Sequence, residues 1–121
     1  MKAGNKQAGP RLRIVLDPHI AIGPGKADIL QAIKETGSIA AAGRRMGMSY
    51  KRAWSLIGGM NRDFVEPLVK TTKGGKTRGG TELTETGDKV LALYRQMQSR
   101  AEAAIESDLQ TMRGLLADMS E

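Results

Sequence analysis

The sequence has no cysteine, a single histidine and only four aromatic residues, Tyr50, Trp54, Phe64 and Tyr94, in a chain of 121. Without thiols there are no disulfides, thiolate metal sites or cysteine nucleophiles, which fits a reducing compartment. No run of 18 apolar residues occurs, and the opening MKAGNKQAGP lacks the apolar centre of a signal peptide. A cytoplasmic protein is therefore expected. His19 follows Asp17-Pro18 with neither a third metal ligand nor a nucleophile nearby, so packing or hydrogen bonding is its expected role. Asp63 and Glu66 are carboxylates without a recognisable cleft. The expectation is a protein that is not an enzyme, with no metal and no cofactor.

What is present is positive charge, unevenly distributed. The net charge of +6 divides into 15 Lys or Arg against 5 Asp or Glu through Gly80, and 4 against 8 from Thr81 onward. The first part suits a polyanion, and the acidic remainder has a different task. A purely solubilising role for the basic residues is the plainer alternative. With 40% hydrophobic residues, the chain is long enough for one modest domain with a core.

Residues 1–10 are expected to form a disordered tail, 11–84 a folded DNA-binding domain, and 85–121 a long terminal helix. RLRIVL at 11–16 alternates charge and apolarity before Asp17-Pro18, which predicts a short strand. Residues 19–25 read as the approach to a Gly-Pro-Gly turn. ADILQAIKETG at 27–37 predicts a helix closed by Gly37. Ser38 then caps a helix through Met46, with Ile39, Ala42 and Met46 inward. Gly47-Met48 turns the chain, and Ser49 caps a third helix whose Ala53, Leu56, Ile57 and Met60 recur at core spacing. Gly58-Gly59 predicts a bent or frayed last turn. Trp54 is expected to pack this helix on the core with help from Tyr50, a DNA contact through the indole edge being the alternative.

PLVKTTKGGKTRGGTELT at 67–84 reads as strand, glycine-rich loop and strand, with Leu68, Val69 and Leu83 pairing with residues 11–16. The GxxxxGK[ST] spacing of a nucleotide-binding loop is absent, which leaves a basic wing for a DNA groove. From Glu85, a stripe of Val90, Tyr94, Met97, Ala101, Ile105, Leu109, Met112, Leu116 and Met119 repeats about every 3.6 residues. A helix over 85–118 would be on the order of 50 Å long, more than so small a domain can cover. Part of its stripe is expected to meet a second copy.

This order predicts a mainly α fold with a small β-wing, a winged helix-turn-helix with a long C-terminal dimerisation helix. The third helix would enter the major groove from its N-terminal end. Ser49, Tyr50, Lys51 and Arg52 are the expected base-reading residues, and arginine can grip guanine bidentately. Arg44, Arg45 and Arg62 are expected at phosphates, which position without reading sequence.

GSIAAAGRRMGMSYKRAWSLIGGMNR at 37–62, with PLVKTTKGGKTRGGTELTETG at 67–87 and LALY, closely resembles the N-terminal DNA-binding domain of the ModE family of molybdate-responsive regulators. That domain is a LysR-type winged helix-turn-helix. The match runs from about Ala27 to about Tyr94, and its most restrictive elements are SYKRAW, the Met60-Asn61 pair, the glycine-rich wing and LTxxG at 83–87. The resemblance implies a homodimer that binds palindromic double-stranded DNA and regulates transcription. It places Ser49, Tyr50, Lys51 and Arg52, with Lys73, Lys76 and Arg78 in the wing, against DNA. It also implies that terminal-helix and N-terminal-helix contacts join the subunits. The family's molybdate-binding domains do not fit before Glu121, so a stand-alone member or a fragment is expected, and direct molybdate binding is not. A winged-helix protein-interaction module and a nonspecific architectural DNA binder are the competing readings.

Overall fold

Helices form wherever the chain supplies a cap followed by an apolar stripe, and the computed structural model describes residues 10–72 and 80–117. The order is β1 (Ile14–Asp17), β2 (Ile20–Ile22), α1 (Pro24–Thr36), α2 (Ile39–Arg45), α3 (Tyr50–Asp63), β3 (Val69–Thr72), β4 (Gly80–Leu83) and α4 (Glu85–Arg113). It is a mainly helical winged helix-turn-helix with a two-stranded wing and a long last helix.

Pro24 opens α1 at a position where a missing N–H costs nothing, three residues before the expected start. Gly37 closes it in the left-handed conformation, its N–H donating to the Ile33 carbonyl at 2.8 Å. The Ser38 hydroxyl accepts from the Ala41 N–H at 3.0 Å and starts α2. Gly47, at φ 70°, reverses the chain between α2 and α3, a backbone that a side chain would strain. The Ser49 hydroxyl then accepts from the Arg52 N–H at 3.1 Å and caps α3.

The core is a single cluster built on Ile29, Leu30 and Ile33 of α1, Ala42, and Ala53, Ile57 and Met60 of α3. Leu68, Val69 and Leu83 close it from the wing, and Leu91 and Tyr94 from α4. Each large apolar side chain so buried stabilises the fold by roughly 1.5–3 kcal/mol.

Two contacts fix the wing. The Asn61 amide donates to the Val69 carbonyl at 3.1 Å, while its oxygen accepts from the Leu68 and Val69 N–H groups at 2.9 and 3.1 Å. Gly87, in the first turns of α4, lies against Leu68 so closely that a Cβ would stand 2.0 Å from the Leu68 oxygen. Thr84 completes the junction: its hydroxyl accepts from the Gly87 N–H and donates to the Pro67 carbonyl.

Five expectations need correction. The first strand pairs with β2, Ile14 opposite Ile22 and Val15 opposite Ala21, and not with the wing. Residues 20–22 are therefore strand. The wing instead pairs with itself, from Val69 opposite Leu83 to Thr72 opposite Gly80. Gly58-Gly59 does not break α3, which continues to Asp63 because Ile57 and Met60 stay anchored in the core. Trp54 does not pack on the core: it is 59% exposed, and Tyr50 is 56% exposed. Tyr94 is fully buried in its own domain, and Val90 packs against the same cluster, so these two members of the stripe serve the fold. The helix also stops at Arg113 and not at 118, with Gly114 as its cap.

Candidate nucleic-acid interface

The outer side of α3 follows from its inner one. With Ala53, Ile57 and Met60 buried, the 100° step of the helix turns Lys51, Ser55 and Arg62 away from the core. Glycines at 58 and 59 leave that face low. The Arg62 guanidinium folds back over them, its nitrogens 3.6 and 3.9 Å from where their Cβ atoms would stand. Ser49, Tyr50, Lys51 and Arg52 are all exposed at the helix start. The Ser49 hydroxyl oxygen is engaged in the cap.

A groove of about 780 Å³ lies between α3 and the start of α1, lined by Lys26, Ser49, Lys51, Arg52, Ser55 and Leu56, among others. Lys26 was not among the expected contacts. Its ammonium donates to the Ala21 carbonyl at 2.7 Å, which seats it at this rim. Nothing in the sequence pattern signals that, because the groove exists only once α1 and α3 are packed.

The cations differ in how far they are committed. Arg45 pairs with Glu35, whose carboxyl is held below its ordinary range by hydrogen bonds from Gln31 and Arg45. Lys70 pairs with Glu82 across the wing at 3.5 Å. Among the described residues, Arg44, Lys51, Arg52 and Arg62 have no carboxylate partner. The expected phosphate contact Arg45 is thus partly neutralised within the fold, and Arg44 beside it is not. Lys73, Lys76 and Arg78 lie outside the described residues.

The distal half of α4 stands apart from this surface. The side-chain ties of α4 to the body lie in its first part: the Thr86 hydroxyl donates to Glu66 at 2.7 Å, Asp88 pairs with Lys34 at 3.0 Å, the Tyr94 hydroxyl donates to the Leu12 carbonyl at 2.6 Å, and Arg95 pairs with Asp28 at 3.1 Å. Beyond Arg95, the side-chain hydrogen bonds among the described residues stay within the helix, which runs on for about 27 Å. Met97, Ala101, Ile105 and Leu109 are half-buried there, while Met112 and Leu116 are exposed. No helix among the described residues is long and apolar enough to cross a membrane.

The family model for bacterial regulatory helix-turn-helix proteins of the lysR family matches residues 26–88, from the rim of α1 to the first turn of α4. The chain belongs to that family. It is 32% identical over 121 residues to the molybdenum transport protein ModE of Azotobacter vinelandii, covering 91% of this chain and 45% of that protein. It is 33% identical over 118 residues to the DNA-binding transcriptional dual regulator ModE of Escherichia coli K12, covering 94% and 45%. The molybdenum-pterin-binding protein MopB of Rhodobacter capsulatus is 41% identical over 78 residues, 64% of this chain and 29% of that protein. The chain thus spans under half the length of these relatives.

Proposed function

We propose that this chain is the sequence-specific, double-stranded DNA-binding part of a ModE-like transcription regulator. The observation that carries the reading is the two-sidedness of α3: one face is locked in the core, and the other carries Lys51, Arg52 and Arg62 with no carboxylate partner among the described residues. A helix so presented fits the major groove, about 12 Å wide. Lys51 and Arg52 read base edges, while Arg44, Arg62 and the wing residues Lys73, Lys76 and Arg78 hold phosphates. The distal stripe of Met97, Ala101, Ile105, Leu109, Met112 and Leu116 joins two copies, so the operator is an inverted repeat. Nothing in this reading requires a cofactor, an oxyanion site on this chain or a membrane.

Selection of tight binders from a randomised duplex library, followed by titration of the winner and a scrambled duplex at several salt concentrations, tests it. An inverted repeat bound far more tightly than the scramble is the expected result. Equal, salt-steep binding to both would leave a nonspecific architectural binder. Absence of duplex binding would leave a protein-interaction module.

A further inference from the structure

The two flanks of α3 are chemically unlike. On the α1 side the groove is cationic, lined by Lys26, Lys51 and Arg52. On the wing side a second groove, of about 360 Å³, runs between α3, the start of α2 and strands β3 and β4. Among the described residues that line it none is charged; Ser38, Tyr50, Trp54, Thr71, Thr72 and Thr81 supply its polar groups. Trp54 also forms the wall of an adjoining groove of about 260 Å³, where Lys70, the one charged residue among the described lining residues, is paired with Glu82.

An α-helix with its side chains is about 10–12 Å across, which fills a major groove and brings each flank against one of the bordering phosphodiester strands. Among the described residues, that groove offers the wing-side strand no cation. It does offer donors: the Tyr50 and Thr72 hydroxyls and the Trp54 indole N–H make no hydrogen bond to another described residue. Half-exposed aromatic rings that the core does not use need another reason to stand on a recognition helix.

Resting on the DNA-binding reading above, we infer that this wing-side groove is a phosphodiester-binding site, in which Tyr50, Trp54 and Thr72 hydrogen-bond one backbone strand of each half-site. Tyr50 thereby leaves the base-reading set. Neutral donors orient a phosphate without displacing the counterions that a lysine displaces.

The test uses the full chain, the selected duplex and its scramble, with Trp54→Phe, Tyr50→Phe and Thr72→Val, each of which removes a donor, the last two with little change of shape. Each is expected to weaken both duplexes by the same factor, roughly tenfold for a hydrogen bond to a charged acceptor, with the salt slope unchanged. Methylphosphonate placed at single backbone positions should find one per half-site that weakens the wild type but weakens Trp54→Phe no further. Wild-type binding that none of the three substitutions reduces would overturn this inference and leave the DNA reading intact. A loss confined to the selected duplex, or abolished when its thymines are replaced by uracil, would make the aromatics base readers and overturn it as well. A reduced salt slope would assign the loss to cations. If the wild type binds no duplex, the functional reading itself falls, and this site with it.

Discussion

The Tyr94 hydroxyl donates to the Leu12 carbonyl at 2.6 Å, tying the middle of the last helix to the segment that leads into the first strand, 82 positions earlier. Burial pushes the Tyr94 phenol above its ordinary value of 10.0. The folded state therefore keeps this proton to higher pH than the unfolded chain does. The contribution is complete below pH 10 and is lost as pH rises from there through the folded value. Urea titrations from pH 8 to 11 should show stability falling at the alkaline end, and Tyr94→Phe should flatten that fall while costing about 1–2 kcal/mol at pH 8.

Gly87→Ala should be among the most damaging single-methyl changes in this chain. The added carbon would stand 2.0 Å from the Leu68 oxygen, and that carbonyl also accepts from the Thr84 N–H at 2.9 Å, so neither side yields easily. A loss of about 2–4 kcal/mol by chemical denaturation is expected. Retention of wild-type stability would mean that the wing and α4 can separate at little cost.

Asn61→Ala removes one amide and orphans three backbone groups of Leu68 and Val69, both of which are buried. Roughly 2–4 kcal/mol of destabilisation follows. Hydrogen exchange localises the effect: the Leu68 and Val69 amides should lose protection well before those of α1.

Arg52→Ala should weaken the selected duplex about tenfold and relax its preferred sequence, whereas Arg45→Ala should do much less, because Glu35 already engages that guanidinium. Replacing Lys73, Lys76 and Arg78 together should weaken all duplexes and lower the salt slope by roughly 2.7. A triple variant with the wild-type slope removes the wing from the interface.

Ile105→Asp or Leu109→Asp should convert a dimer into a monomer in sedimentation at micromolar concentration. Tyr94→Phe should leave association unchanged, since that ring is wholly inside its own domain. An unchanged dimer for both aspartate variants would move the interface off the distal stripe.

The helix-turn-helix was legible because its signals are local. Ser38, Gly47 and Ser49 act within four residues of themselves, and the spacing of Ala53, Ile57 and Met60 states which face is buried. The wing's partner was not legible: RLRIVL alternates like a strand, but only the close turn at Asp17-Pro18-His19 decides that it pairs with Ile20–Ile22. Trp54 was misplaced by residue type, since an indole is usually buried, although its position 100° from Ala53 already set it at the helix flank. For Tyr94, a 3.6-residue stripe marks one face of a helix without saying whether each turn meets the chain's own core or something else.

The outward side chains of α3 have one property in common. Among the described residues, Lys51, Arg52, Ser55 and Arg62 make no side-chain hydrogen bond or ion pair with the rest of the fold, while Ala53, Ile57 and Met60 behind them are fixed in it. Exchanging such exposed residues usually changes stability by no more than about 0.5 kcal/mol. Descendants of this gene can therefore drift to new target sequences one side chain at a time without passing through an unfolded protein.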